Sequence, residues 1–223
     1  MSVINRMFAV LPAMFVCLGL VAPAATAATV KGYEIDAPSS LQVVVNKHRK
    51  LNPQNYVPSR LARIQGESLR AEAADAYKKF ASAAKKAGVT IVPVSGYRSY
   101  NQQASLYNNY VLQYGQETAD TLAARPGHSE HQTGLAMDIG NPGGTCALDP
   151  CFENTPAGKW AAEHADDYGF IIRYPKGAEA TTGYTYEPWH LRYVGTSLVG
   201  DMNDGGFRTL EDFFGLGAAP DYL

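Results

Sequence analysis

Charge is scarce in this chain, and neither sign dominates it. Of 223 residues only 18% are charged, and the formal net charge is −2. No run of lysine or arginine occurs, which excludes a nucleic-acid binder that tracks phosphates. Cysteine is scarcer still, with three in all. One of them, Cys17, lies in an N-terminal apolar stretch. The other two, Cys146 and Cys151, allow one intramolecular bridge. A zinc site from these two alone is the weaker reading, since no His or Cys stands beside them at ligand spacing. Internal repeats and low-complexity tracts are lacking, which excludes solenoid and disordered classes. Beyond the first 28 residues no apolar run is long enough to cross a bilayer.

That N-terminal stretch reads as a secretory signal. Arg6 is the sole charge of the first 28 residues, residues 7–21 are apolar, and Ala25-Thr26-Ala27 is a small-x-small cleavage site. The expected boundaries are a signal over 1–27 and one domain over 28–223. Taking Arg6 from the 19 basic residues leaves 18 against 21 acidic, a net of −3. An export context permits disulfides, so Cys146 and Cys151 are expected to staple a surface loop. After cleavage no stable membrane span is expected. An uncleaved anchor is the alternative.

Residues 30–58 form a lead-in. Within it residues 41–45 fit a strand or a short helix. Residues 69–87 carry apolar side chains at helical spacing, with Gly88 as the stop. Residues 89–94 are rich in β-formers. A second helix is predicted to start at Ser99, where Ser99 and Gln102 have the capping-box spacing, and to end at Gly115. A short helix over 117–124 follows. Residues 135–139, 170–174 and 191–194 read as strands. Thr155-Pro156 opens a further helix, with threonine as cap and proline at the first helical position. Helices and strands mix without regular alternation, so the predicted class is α+β, mainly antiparallel sheet with flanking helices. From residue 195 onward the chain is rich in Gly and Asp; Phe207, Phe213 and Phe214 are expected to tuck against the body.

The chemistry concentrates in Ser129-Glu130-His131-Gln132-Thr133-Gly134-Leu135-Ala136-Met137-Asp138 and in Glu187-Pro188-Trp189-His190. A catalytic zinc site needs three protein ligands, an open fourth position, and a base to take a proton from water. Two imidazoles, one aspartate and one glutamate meet that need. Gly134 permits a bend between His131 and Asp138, so that both can converge with His190. Pro188 rules out an ordinary helix and leaves Glu187 on a rigid turn or extended segment beside the metal. From there Glu187 can accept a proton and return it to a leaving amine. Arg98 lies between a strand and a helix start, a corner suited to a terminal carboxylate or to the oxyanion of a tetrahedral intermediate.

These two segments closely resemble the VanY-type D-alanyl-D-alanine carboxypeptidases, part of the zinc peptidase group that includes lysostaphin-like and hedgehog-like folds. Ser95-Gly96-Tyr97-Arg98-Ser99, Tyr168-Gly169-Phe170-Ile171-Ile172-Arg173-Tyr174-Pro175 and Leu191-Arg192-Tyr193-Val194-Gly195 extend the likeness over about 44–195. The resemblance implies a hedgehog/DD-peptidase-like fold and one Zn2+ ion on His131, Asp138 and His190. It also implies Glu187 as base, Arg98 in a substrate role, and Gln103 and Ser129 at peptide-contacting positions. Tyr97 and Trp189 are further candidates for the cleft wall. The activity it implies is release of the C-terminal D-alanine from peptidoglycan stem peptides by an exported monomer. Cleavage of the L,D-bond of tetrapeptide stems, endopeptidase action on cross-bridges, and a non-hydrolytic hedgehog-like wall-binding domain are the alternatives. The intact Glu187 speaks against the last, because a pure binder needs no base.

Three histidines are left out of the ligand set: His128 as an exposed loop residue, His164 as packing on Trp160, and His48 as part of a solvated basic face with Lys47. Ser82-Ala83-Ala84-Lys85 matches the S-x-x-K of serine-type penicillin-binding enzymes. It falls inside an amphipathic helix, with no Lys-Thr-Gly and no Ser-Asp-Asn elsewhere, so it is read as chance.

Overall fold

The computed structural model describes residues 32–223; the expected signal segment and its cleavage site lie outside them. Residues 41–45 form neither strand nor helix, because their polar groups serve other partners. The Val44 amide donates to Ile35 O at 3.0 Å, and the Leu41 and Val43 carbonyls accept from Arg192 Nη2 at 3.1 and 2.6 Å.

A hairpin follows that the sequence reading did not anticipate. Strand β1 (Leu61–Ile64) pairs antiparallel with β2 (Glu67–Arg70). The turn between them places both Gln65 and Gly66 at positive φ. Leu69 therefore belongs to β2, and the first helix, α1 (Ala71–Lys86), begins two residues later than the periodicity suggests. Its face of Ala73, Ala74, Tyr77, Phe80 and Ala84 is buried, and full burial of a side chain such as Phe80 contributes roughly 1.5–3 kcal/mol.

Strand β3 (Val92–Ser95) leads into α2 (Tyr100–Tyr114), whose N-terminus carries the expected capping box of Ser99 and Gln102. Helix α3 (Gln116–Leu122) and strand β4 (Ala136–Gly140) come next. Then α4 (Pro156–His164) is capped by Thr155 Oγ1, which accepts from Gly158 N. The chain continues through β5 (Phe170–Ile172), α5 (Glu179–Thr182) and β6 (His190–Tyr193). The glycine-rich tail holds two helices, α6 (Thr196–Gly205) and α7 (Leu210–Phe214). Phe213 and Phe214 pack there with Val44, Leu198 and Met202, whereas Phe207 remains 40% exposed.

The main sheet is antiparallel throughout, in the order β3-β4-β6-β5, so the class is α+β. Its register sets Asp138 on β4 opposite both Ser95 on β3 and His190 on β6. Side chains directly opposed on paired strands lie on one face of the sheet. Backbone pairing thus fixes where two of the polar side chains meet.

Candidate metal centre

His131 reaches that face from a short 3-10 turn, Glu130–Thr133, which ends at Gly134 with φ +69°. A side chain there would be strained, and a Cβ would also stand 3.1 Å from Arg70 N. The Gly134 carbonyl accepts from Arg70 N at 2.8 Å, which ties the bend to β2. Thr133 Oγ1 donates to Glu130 O at 2.6 Å and accepts from Leu135 N at 3.1 Å. The glycine bend inferred between the two ligands is therefore present and braced.

One nitrogen of the His131 imidazole is committed outward. His131 Nδ1 lies 2.8 Å from Gly96 O. A carbonyl only accepts, so Nδ1 carries the proton and Nε2 keeps its lone pair. That Nε2 is 3.3 Å from Asp138 Oδ2. His190 Nδ1 is 3.1 Å from Asp138 Oδ1, which is buried and accepts no hydrogen bond among the described residues. Zinc ligands about 2.1 Å from an ion at tetrahedral angles stand about 3.4 Å apart, close to the two separations from Asp138. One ligand atom from each of His131, Asp138 and His190 lies within 4.8 Å of the other two. All three residues are 5% exposed or less. The His131 Nε2 lone pair, the His190 Nδ1, which becomes a ligand once it gives up its proton, and an orphaned Asp138 oxygen converge shielded from water and fit a divalent cation of zinc type.

Glu187 Oε2 lies 3.5 Å from His190 Nδ1. The turn Glu187–His190 is closed by His190 N donating to Glu187 O at 3.2 Å, as Pro188 led one to expect. Burial pushes the Glu187 carboxyl up to about 8, and the neighbouring Asp138 charge adds to the shift. Burial alone would lower the His190 imidazole, but the carboxylates of Asp138 and Glu130 outweigh it and hold it up to about 10. The Asp138 carboxyl is pushed upward by burial, yet the two imidazoles keep it below its ordinary range. In the metal-free site, then, protons occupy the place of a cation.

Arg98 projects from the β3–α2 corner. Its Nη1 donates to Gln103 Oε1 at 2.8 Å and its Nη2 to Ser95 Oγ at 2.7 Å, which leaves three of its five N–H donors for a ligand. Gln103 is buried, and its Nε2 donates to Ala124 O at 2.7 Å. Both ends of its amide are thus used in holding Arg98 and the 123–128 loop. His131, Asp138, His190, Glu187, Arg98, Gln103, Ser129 and Trp189 all line one cavity of about 350 Å³. Tyr97 is not among the lining residues; its backbone amide donates to Ser68 O at 2.6 Å. Apolar walls come from Leu106, Tyr110 and Leu122 on one side and from Leu148 and Pro150 on another. Leu148 and Pro150 belong to the loop closed by the Cys146–Cys151 disulfide.

The sequence reading gave no role to the residues behind the metal ligands. Glu130 Oε1 accepts from Arg173 Nε at 2.8 Å and from Arg192 Nη1 at 2.6 Å. Arg173 also forks onto Glu211, at 2.9 and 2.6 Å, and Asn46 Nδ2 donates to Glu211 Oε1 at 2.9 Å. None of the four ionic side chains has any solvent exposure. The signal was available: Arg173 and Arg192 each interrupt an apolar stretch that the sequence predicts as strand, and a charge buried there demands a partner.

Two of the expectations for residues outside the site need correction. His128 is not an exposed loop residue. It is half-buried, with Nδ1 2.9 Å from Asn46 O and its ring edge-on to Tyr222. Lys47 is not on a solvated face: it is 3% exposed, and its Nζ donates to Gly183 O and Pro220 O at 2.5 and 3.0 Å. His164 does stack on Trp160, with ring centroids 3.9 Å apart. Ser82 and Lys85 lie exposed on α1.

Comparison with known proteins shows the family. The family model described as VanY, D-alanyl-D-alanine carboxypeptidase, matches residues 66–196. A putative carboxypeptidase, YodJ, of Bacillus subtilis (strain 168) is 45% identical over 190 residues, covering 81% of this chain and 69% of that one. The structure of the LdcB LD-carboxypeptidase superposes with a TM-score of 0.74 at 45% identity, covering 80% of this chain and 87% of that one. A mutant of the vancomycin resistance D,D-pentapeptidase VanY from a VanB-type cassette, in complex with Zn(II), gives a TM-score of 0.66 at 30% identity, with 77% and 97% covered. With its metal-ready triad and adjacent glutamate, the chain is a metallocarboxypeptidase and belongs to the VanY family of D-alanyl-D-alanine carboxypeptidases.

Proposed function

We propose that the protein is an exported zinc carboxypeptidase that releases the C-terminal D-alanine from peptidoglycan stem peptides. The observation that carries this reading is the convergence of His131, Asp138 and His190 in a buried pocket with Glu187 beside them. The three residues would hold one ion, which supplies Lewis acidity to polarise the scissile carbonyl and to make a water acidic enough to attack it. Glu187 accepts the proton of the attacking water and returns it to the departing amine. A cation beside Glu187 favours the ionised carboxylate that this task requires. Arg98, held by Gln103 and Ser95, donates to the oxygen on which negative charge develops. Ser129 and Trp189 border the peptide.

Cleavage between two D-alanines is the first reading, since the family model carries that activity in its description. The L,D-bond of a tetrapeptide stem is the second, favoured by the 45% identity to LdcB. The proposed form is a monomer with residues 28–223 as one domain. Among the described residues no helix is long and apolar enough to cross a membrane.

The test is turnover of synthetic muramyl pentapeptide and tetrapeptide, with product masses read before and after chelation. D-Alanine release that stops with chelator and returns with zinc supports the proposal, and the preferred peptide chooses between the two readings. Persistence of turnover after complete metal removal would overturn it.

A further inference from the structure

Tyr222 lies outside the cleft and meets it at two points, the Arg125 peptide and the hydroxyl of Tyr184, which lines the cavity. Its phenol oxygen accepts from the backbone N–H of Arg125 at 2.8 Å and stands 3.2 Å from the Tyr184 hydroxyl. Its ring packs 4.1 Å from the Arg125 guanidinium, which is itself forked on Asp120 at 2.9 and 2.7 Å. The same peptide unit that offers Arg125 N–H to Tyr222 offers its other end, Ala124 O, to Gln103 Nε2 at 2.7 Å. Gln103 Oε1 then accepts from Arg98 Nη1 at 2.8 Å.

The result is an unbroken series: phenol, peptide, side-chain amide, guanidinium. Each amide donates at one end and accepts at the other, so the bonds polarise one another in a common direction. Residues 123–128, between α3 and the ligand turn, have no helix or strand of their own. With the peptide clamped at both ends, Gln103 has one place to bond. With Gln103 fixed, the long Arg98 side chain is held in one direction before substrate arrives, and preorganised donors are what stabilise developing charge.

We propose that Tyr222 is a positioning residue for catalysis, which sets the Arg98 guanidinium through the Ala124–Arg125 peptide and Gln103. The proposal rests on the reading of Arg98 as the donor to the oxyanion. Absence of wild-type turnover would defeat that reading, whereas the present proposal is judged on differences between active variants.

The experiment is a double-mutant cycle on the full chain with its metal, using a stem peptide as substrate. Tyr222→Phe keeps the ring and removes the acceptor. It is expected to lower kcat about ten-fold with KM within two-fold and metal content unchanged. In a Gln103→Ala background the same change is expected to cost less than two-fold, because the link is already cut. Equal losses in both backgrounds, or an unaltered kcat in Tyr222→Phe, would overturn the proposal, since a tyrosine that merely packs gives one of those results. A second readout needs no turnover. Solvent exchange of the Gln103 side-chain Nε2–H that donates to Ala124 O, followed by NMR, should quicken at least ten-fold in Tyr222→Phe, and unchanged exchange would overturn the clamp. This measurement can be made well below the assay temperature if the variant is unstable.

Discussion

The Glu130 carboxylate stands 3.5 Å from His190 Nε2, on the opposite side of the ring from Asp138. From there its charge can orient the imidazole with Nδ1 toward Asp138 and Glu187, while Arg173 and Arg192 hold the carboxylate from behind. Partners that orient a metal-bound histidine typically carry 10–100-fold of metal affinity. Glu130→Gln is therefore expected to weaken zinc binding by about that factor in a chelator competition titration. Because two buried guanidinia lose a counter-charge, unfolding free energy should also fall by about 3–5 kcal/mol, measured by denaturant titration. Wild-type affinity in this variant would refute the orienting role.

Glu187→Gln preserves shape and removes the base. With metal retained at one equivalent by elemental assay, kcat should drop by roughly 10²–10⁴-fold. A smaller loss, under ten-fold, would mean that another group moves the proton.

Glu211 predicts how stability depends on acidity. Burial raises its carboxyl, but Arg173 and Asn46 outweigh that and hold it below its ordinary 4.5. A carboxyl depressed by folding stabilises fully above its unfolded value and loses that contribution as pH falls toward its folded one. Wild-type unfolding free energy should accordingly decline below about pH 4.5. Glu211→Gln should be less stable at pH 7 and should show a shallower decline in that window. Parallel curves for the two proteins would exclude the Arg173–Glu211 pair as a source of the acid sensitivity.

Metal uptake should be coupled to proton release. Without metal His190 is held protonated up to about 10 and Glu187 up to about 8. An incoming cation must displace the His190 proton, so apparent affinity should rise by up to about ten-fold per pH unit between pH 6 and 8 for each proton released. Calorimetry in buffers of different ionisation enthalpy measures that number directly. A pH-independent affinity would contradict the protonated resting site.

Closing the short loop between Cys146 and Cys151 is expected to stabilise the fold by about 2 kcal/mol in the chain-entropy account. Replacing both cysteines by serine should cost no more than that in thermal unfolding. Since Leu148 and Pro150 border the cavity, KM should rise more than kcat falls. An unchanged KM would show that the clasped loop does not touch substrate.

Much of the site was legible before the structure because its spacing is local. His131, Gly134 and Asp138 lie within eight residues, and Glu187 and His190 within four, so motif and bend could be read together. Ser99 and Thr155 announced their helices by capping chemistry that needs only adjacent residues. What escaped was set by distant partners. Residues 41–45 have β-forming side chains, yet Arg192 takes two of their carbonyls. The salt-linked Glu130, Arg173, Arg192 and Glu211 span more than 80 positions, and nothing near any one of them names the others. Lys47 sits beside His48 and Arg49 in a stretch that reads as solvated, but Gly183 O and Pro220 O, far along the chain, draw it inward.

The Asp138–His190 rung also makes catalysis hostage to strand alignment. Because successive side chains alternate between faces, sliding β4 by one position against β6 would bring Met137 or Ile139 to the place of the aspartate. A thioether or an alkyl group would then confront the two imidazoles. Mispaired molecules of this kind would be sound in outline and catalytically silent, so a preparation's specific activity doubles as a gauge of how faithfully its central ladder has zipped.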